Sequence, residues 1–265
     1  MKKLNDLIKQ GKLNLACEYC KEALREDPIN AQLRAIYVEL LCINGDLESA
    51  DNQLDMIIRQ HPDFLLGAVN LRQLIRADQA RLDFYRGGMT ANLFQESDDI
   101  FEKTIRVNLA MLENNIDAAT SLVFEIENDR EKVLASVNNN SIDDIRDLDD
   151  VLAGYVEIYG TDGKFYLAKF SEIEHFTVHK AESIIDSVWR RIDISIENGP
   201  SGEAFLPLTY VSSEDESSRL GKDTDWLQKG EFVATGTGLK MWLVGDEVLP
   251  ITAISSFEKM ASYSA

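Results

Sequence analysis

Few residues in this sequence have the type and spacing needed to hold a metal ion. Cys17 and Cys20 stand three residues apart, as in half of a zinc or redox site, and His175 and His179 stand four apart. On a helix the two cysteines lie on adjacent faces, and on a strand the two histidines are separated by about 13 Å, too far for one zinc ion. The spacing therefore favours the cysteines as small apolar packing residues, and we expect neither a metal nor an organic cofactor.

An acidic stretch is the second place where chemistry could occur. It lacks the glycine and the bidentate glutamate of a calcium-binding loop, so we interpret it as a solvated linker. The chain has no G-x-S-x-G elbow, no phosphate-binding loop and no dinucleotide fingerprint. The sequence gives no positive case for an enzyme, and it leaves open an active site without a recognisable motif. The acidic residues are Asp143, Asp144, Asp147, Asp149 and Asp150.

A run of arginines follows one predicted helix. Arg72 and Arg76 are one turn apart, and so lie on the same face. In a chain with a formal net charge of -19, a local cationic stripe could receive an acidic partner. The alternative is that these arginines pair with carboxylates of the same domain, such as Asp78 and Asp83. The complete run is Arg72, Arg76, Arg81 and Arg86.

The elements that position these residues begin with an internal repeat. Residues 9–28 align without gaps on residues 43–62, an offset of 34 residues, which is the period of the tetratricopeptide repeat. Its glycines allow a left-handed residue at a helix end, its alanines allow two helices to cross closely, and its prolines end the second helix. Stacked helical hairpins leave a concave surface that can bind a peptide. The matched pairs are Gly11 with Gly45, Ala16 with Ala50, and Pro28 with Pro62.

The pattern of apolar residues divides the chain into two halves. Residues 1–137 have helical spacing and are predicted to form a tetratricopeptide-like domain, with a long helix from Phe64 to Arg86. Residues 138–150 are predicted to be an acidic linker. Residues 151–265 alternate in hydropathy, which predicts a small, mainly antiparallel β domain with one or two short helices. Its predicted hairpins turn at Asp162-Gly163, within residues 198–202 and at Gly245-Asp246, and residues 181–189 are predicted to form a short helix. The expected fold class is therefore α+β, with two separable folding units.

Composition excludes several kinds of partner. The acidity extends over both halves, which disfavours nucleic acid and anionic membrane surfaces as partners. No run of 18 apolar residues occurs, so no transmembrane helix is expected. The three cysteines and a polar N-terminus predict free thiols and a cytoplasmic location. The oligomeric state is left open.

Several strings together resemble one protein family. The closest are residues 34–57 and 71–88, followed in the same order by residues 147–160, 188–191 and 219–226. The chain resembles the ImpE/SciE family, also called TagJ-like, of accessory proteins encoded with bacterial type VI secretion systems. It departs from the usual family pattern at Val151-Leu152-Ala153 and at Arg191. The resemblance implies a cytoplasmic, non-enzymatic protein that contacts the small subunit of the contractile sheath and assists its handling.

The resemblance and the repeat together predict a partner surface. In a tetratricopeptide hairpin the first helix lines the concave face, and that register selects Gln32 and Glu39 from the second repeat and Gln73 and Arg76 from the long helix. Arg72 lies one turn from Arg76 and is expected either to contact the partner or to have a structural role. We expect an adaptor that grips one face of an amphipathic helix of the sheath small subunit. The alternative hypothesis is an enzyme with its active site in the β domain and the repeats as a docking module.

Overall fold

A computed structural model describes residues 2–260. Its first half consists of seven α-helices, and a single turn of 3₁₀ helix over Pro62–Phe64 leads into the fifth. The helices are α1 (Lys2–Lys9), α2 (Leu13–Glu26), α3 (Ala31–Ile43), α4 (Leu47–Gln60), α5 (Leu65–Tyr85), α6 (Asp99–Leu112) and α7 (Ile116–Asp129).

The repeat determines where the first helices begin and end. Gly11 and Gly45 both have positive φ, at 74° and 76°, between the two helices of each hairpin. Ala16 and Ala50 are completely buried where the helices cross. The Asn30 side chain accepts a hydrogen bond from the backbone N–H of Leu33 at 3.0 Å and so caps α3. The tetratricopeptide-like half is therefore confirmed.

The second half is built on an antiparallel sheet of eight strands in the order β2-β1-β13-β6-β7-β8-β4-β5. Two smaller sheets flank it, one of β12, β11 and β3 and one of β10 and β9. The first strands are β1 (Ala135–Val137), β2 (Asn140–Ile142), β3 (Ile145–Asp147), β4 (Tyr155–Gly160), β5 (Phe165–Lys169), β6 (Ile173–Val178) and β7 (Trp189–Ile196). They are followed by β8 (Ser201–Pro207), the short helix α8 (Glu216–Arg219), β9 (Thr224–Lys229), β10 (Val233–Gly238), β11 (Met241–Val244), β12 (Glu247–Pro250) and β13 (Ser256–Lys259).

The α+β fold class is confirmed, and so are the hairpins β4–β5, β7–β8 and β11–β12 that the alternating pattern predicts. One element differs. Residues 181–189 were expected to form a short helix, but only Ile185–Ser187 form a 3₁₀ turn before β7 begins. The carboxylate of Asp186 accepts hydrogen bonds from the backbone N–H groups of Glu182 and Ser183, each at 2.8 Å, which stabilises a turn in place of a helix.

The expected acidic linker is not an exposed connection. The helical half ends at Asp129, and β1, β2 and β3 place most of residues 135–147 in the sheets. Asp147 is 1% exposed and Asp149 is 7% exposed. Both carboxylates accept hydrogen bonds inside the protein, which compensate for the loss of water around them. Polar side chains that are buried acceptors look like linker residues in a sequence, which is why that expectation was wrong.

Helices and sheet share one core. α5 lies against the sheet, and its Phe84 packs on Phe165 of β5 with ring centroids 5.8 Å apart. Tyr159 of β4 and Trp189 of β7 belong to the same cluster of buried residues as the repeat core. A second core on the other side of the sheet is centred on Trp242. Within the described residues, no helix combines the length and the apolar composition needed to cross a membrane.

Candidate functional site

An apolar groove lies between the first helices of successive repeats. α3 and α5 form its walls and α4 forms its floor, enclosing a cavity of about 190 Å³. With walls on α3 and α5 and a floor on α4, the groove has a shape that can receive a helix or an extended segment. The wall of α3 contributes Ala35, Val38 and Glu39, and the floor contributes Leu54 and Ile57. The opposite wall consists of Phe64 from the 3₁₀ turn and of Gly67, Ala68 and Leu71 from α5.

Large apolar side chains surround one end of this groove. Phe64 lines it and is exposed, and Leu65, Leu66 and Val69 are exposed on the following turn of α5. Leu66 has 74% of its surface in solvent. Such a concentration of exposed apolar residues is typical of a surface that a partner covers.

Two of the predicted partner-binding residues lie on α3. Gln32 is exposed, one turn before Ala35 on the side that lines the groove. Glu39 lines the groove, but its Oε2 accepts hydrogen bonds from the backbone N–H groups of Ile184 and Ile185 at 2.9 and 3.1 Å. Burial raises the pKa of this carboxyl above its ordinary value, with the two backbone bonds opposing that rise. Glu39 therefore connects α3 to the β half, and its carboxylate is engaged within the chain.

The other three predicted residues lie on α5. The Arg72 guanidinium forms ion pairs with Asp51 and Asp55 of α4, so it has the structural role that was the alternative. Gln73 is half-buried beside the turn between β4 and β5, and its Oε1 accepts a hydrogen bond from Arg76 at 3.2 Å. Arg76 is exposed and forms no ion pair with any residue of the described range 2–260.

The structure does not bring the five predicted residues together. At about 100° per residue, Gly67, Ala68 and Leu71 lie on the face of α5 that lines the groove. Gln73 and Arg76 project from the opposite side of the same helix. The role of these residues in partner binding stays a prediction, and the groove face of α5 consists instead of apolar residues that the sequence reasoning did not select.

A buried network of charges joins α5 to the sheet. The Arg81 guanidinium donates from Nε and Nη2 to the two carboxylate oxygens of Glu157 on β4, each at 2.7 Å. Nη2 also donates to the carbonyl oxygen of Thr209 at 2.9 Å, and Lys240 forms a second ion pair with Glu157. Although burial opposes ionisation, Arg81 and Lys240 lower the pKa of Glu157 to about 2. Glu157 is thus an anion at neutral pH and pairs with two basic side chains in the interior.

Two further aspartates support this network from the stretch before β4. Asp147 accepts hydrogen bonds from the Tyr210 hydroxyl at 2.8 Å and from Nε1 of Trp242 at 3.1 Å. Asp149 accepts from the backbone N–H groups of Val151 and Gly236, each at 2.9 Å. Burial raises the pKa of Asp147 to about 6 and that of Asp149 to about 7, the charge of Asp147 adding to the rise at Asp149. These carboxylates connect the strands of the β half.

A cavity of about 260 Å³ lies beside the network, where an enzyme of this fold could have its active site. Arg81, Asp149, Glu157 and Tyr85 line it, so titratable groups do face a pocket. The bonds of Arg81, Glu157 and Asp149, however, run to one another and to the backbone, so these groups are engaged within the protein. No three His, Cys, Asp or Glu side chains among residues 2–260 are grouped so as to hold a metal ion.

The cysteine pair is part of the repeat core. Cys17 and Cys20 are both buried, as expected for small packing residues. Burial raises the pKa of Cys17 to about 12 and that of Cys20 to about 11, so both are neutral thiols at physiological pH. His179 instead lies beside Asp193, with Nε2 and Oδ2 2.8 Å apart.

Comparison with known proteins identifies the family. Residues 7–72 match the model of the tetratricopeptide repeat, and residues 139–258 match the model of the ImpE protein family. The crystal structure of protein VPA1032 from Vibrio parahaemolyticus is 35% identical and has a TM-score of 0.95, with 98% of each chain covered. The chain belongs to the ImpE family. This ImpE-family chain is also 23% identical over 228 residues to the type VI secretion system accessory component TagJ of Pseudomonas aeruginosa, covering 85% of this chain and 81% of the relative.

Sequence reasoning on this ImpE-family chain missed the residues at the centre of the charge network. Glu157 stands between Val156 and Ile158 in a strand whose residues are nearly all buried. A charged residue inside an otherwise apolar strand indicates a buried partner, and this signal was present in the sequence. The partner itself, Arg81, is 76 residues away, and only the fold brings the two together.

The buried aspartates predict how stability depends on pH. The folded protein keeps a proton on Asp149 up to about pH 7, whereas the ordinary value is 3.8, so the folded state binds more protons in that window. The free energy of unfolding should therefore fall by about 1–3 kcal/mol between pH 5 and pH 8. Glu157 has the opposite effect on the free energy of unfolding. It stabilises the folded state above its ordinary pKa of 4.5, and this stabilisation is lost as the pH falls toward 2. Urea denaturation at several pH values measures this, and stability that rises from pH 5 to pH 8 would contradict it.

Proposed function

We propose that this chain is an accessory component of bacterial type VI secretion that binds a helical segment of the sheath small subunit in the groove between α3 and α5. Membership of the ImpE family and the likeness to TagJ support the accessory role. The observation that carries the binding role is the open apolar groove with its exposed rim. The three buried, reduced cysteines are consistent with work in the cytoplasm.

The groove suits one apolar stripe of an amphipathic helix. Its floor and walls are almost entirely apolar, so side chains spaced three and four residues apart on a partner helix can be buried there. Gly67 leaves open space in the wall, since a Cβ placed on it would meet no atom within 4 Å. A partner helix can therefore approach the backbone of α5 closely at this point.

The open space at Gly67 provides a direct test. We expect Gly67→Leu to weaken binding of a sheath-subunit peptide by at least about tenfold, because the new side chain occupies the groove. The fold should persist, since the site is open and leucine favours a helix more than glycine does. Calorimetry with synthetic peptides that cover the helices of the sheath small subunit measures the affinity.

A matched control is Asn70→Leu, which adds the same side chain to an exposed position of α5 outside the groove lining. It should leave the affinity unchanged. The variant Arg76→Glu probes the opposite face of α5, which the arginine run predicts as a contact. If Gly67→Leu binds normally and Arg76→Glu does not, the partner uses that face and the groove assignment is wrong. If no peptide of the subunit binds, the proposed partner is wrong.

A further inference from the structure

A second cleft differs from the apolar groove in having several charged side chains in its lining. It lies where the end of α3, the second half of α5 and the loop between β8 and β9 meet, and its volume is about 250 Å³. Arg81, Arg86 and Arg219 all line it. In a chain with a net charge of -19, three guanidinium groups around one cleft are a local concentration of basic side chains.

The deepest of these arginines is neutralised inside the protein. Arg81 is 5% exposed and binds Glu157, which also binds Lys240. Asp78 lines the same cleft and accepts a hydrogen bond from the Tyr159 hydroxyl. Arg81 and Lys240 both pair with Glu157, so this buried set presents no unpaired basic group to the cleft. It provides a rigid floor whose side chains are all fixed by hydrogen bonds.

The other two arginines keep their charge. Arg219 donates from Nη1 to the carbonyl and side-chain oxygens of Asn44, at 2.6 and 3.1 Å, so neutral groups hold its guanidinium in place. The Arg86 guanidinium makes no ion pair or hydrogen bond with residues 2–260. The remaining carboxylate in the lining is Glu214, which is exposed at the rim. The two positive charges thus exceed the single negative charge that faces them.

We propose that this cleft binds a small organic anion through its phosphate or carboxylate group. The planar fork of a guanidinium matches both groups, because each presents two oxygens to two parallel N–H donors. The apolar surface of Leu82, Val188 and Trp189 lines the same cleft and can cover a short carbon skeleton. The volume is below the range of about 300–1,000 Å³ that is usual for drug-sized ligands, so the ligand is small.

The test uses the full-length protein with inorganic phosphate and with citrate, at constant ionic strength in chloride buffer. We expect at least one of the two anions to bind in calorimetry and to raise the melting temperature. Arg86→Gln should weaken that binding by about tenfold or more, which corresponds to about 1.4 kcal/mol. Since Arg86 is exposed and has no partner in the described range, this variant should unfold at the same urea concentration as the unchanged protein.

Arg76→Gln is the matched control, because Arg76 is an exposed arginine of the same helix that lies outside the cleft. It should bind the anions as the unchanged protein does. Binding of phosphate alone or of citrate alone supports the site and assigns the ligand to one of the two chemistries. If neither anion binds, or if Arg86→Gln and Arg76→Gln reduce binding equally, the cleft is not a specific anion site.

Discussion

Replacing Glu157 by glutamine is expected to lower the free energy of unfolding by about 3–5 kcal/mol. Glu157 is 1% exposed, and its carboxylate is the ion-pair partner of both Arg81 and Lys240. Glutamine has nearly the same volume but no charge, so Arg81 and Lys240 would lose the carboxylate that they share. Both side chains are almost fully buried, Arg81 with 5% and Lys240 with 2% of its surface exposed, so solvent compensates little for this loss. Urea denaturation at neutral pH measures the change.

A surface ion pair supplies the control for this substitution. Glu203 lies 3.5 Å from Arg191, and more than a third of each side chain is in solvent. Glu203→Gln should change stability by no more than about 0.5 kcal/mol. A loss below about 1 kcal/mol for Glu157→Gln would mean that water reaches Arg81 and Lys240 through the adjacent cavities, and that the network contributes little to the fold.

A fragment that contains residues 1–130 alone is expected to lose cooperative unfolding. The division of the chain into separately folding halves is a prediction from the sequence pattern, and this fragment tests it. In the whole protein, Phe84 and Arg81 of α5 are buried by residues of β4 and β5. In the fragment both would lose this cover, and α5 would keep only its contacts with neighbouring helices, such as the hydrogen bond from Asn108 of α6 to the Phe84 carbonyl oxygen. Thermal unfolding followed by far-UV circular dichroism should show a broad, non-cooperative loss of helix.

Mixing the fragment with residues 131–265 provides the control. If the shared core is what is missing, the complementary fragment should restore a cooperative transition. A fragment of residues 1–130 that unfolds in one sharp step by itself would instead support two independent units, and limited proteolysis should then cut within residues 138–150.

The local part of this structure could be predicted from the sequence. Gly11, Gly45 and the capping side chains act within a few residues of their own position, so the helical hairpins follow from spacing alone. The hairpin β4–β5 follows in the same way, because Gly163 has the positive φ that its turn requires. In each case the signal and the structure that it specifies lie in the same short segment.

The nonlocal part could not be predicted in the same way. The sequence showed that Glu39 was on the first helix of a repeat, but not that Ile184 and Ile185 would bind its carboxylate from 145 and 146 residues away. It showed a run of arginines along α5, but one helix can turn successive arginines toward three different surroundings. Arg72 pairs with α4, Arg81 is buried by the sheet and Arg76 is exposed. Which of them is free depends on the neighbours that the fold provides.

The hydrogen bonds of Glu39 also set a limit on what the groove can hold. Its carboxylate stands in the groove wall and at the same time grips the backbone amides of Ile184 and Ile185. The groove wall and the β half are thus joined through one carboxylate. An occupant that displaced α3 at Glu39 would have to break both hydrogen bonds, so the groove can take only a partner that fits the present position of α3.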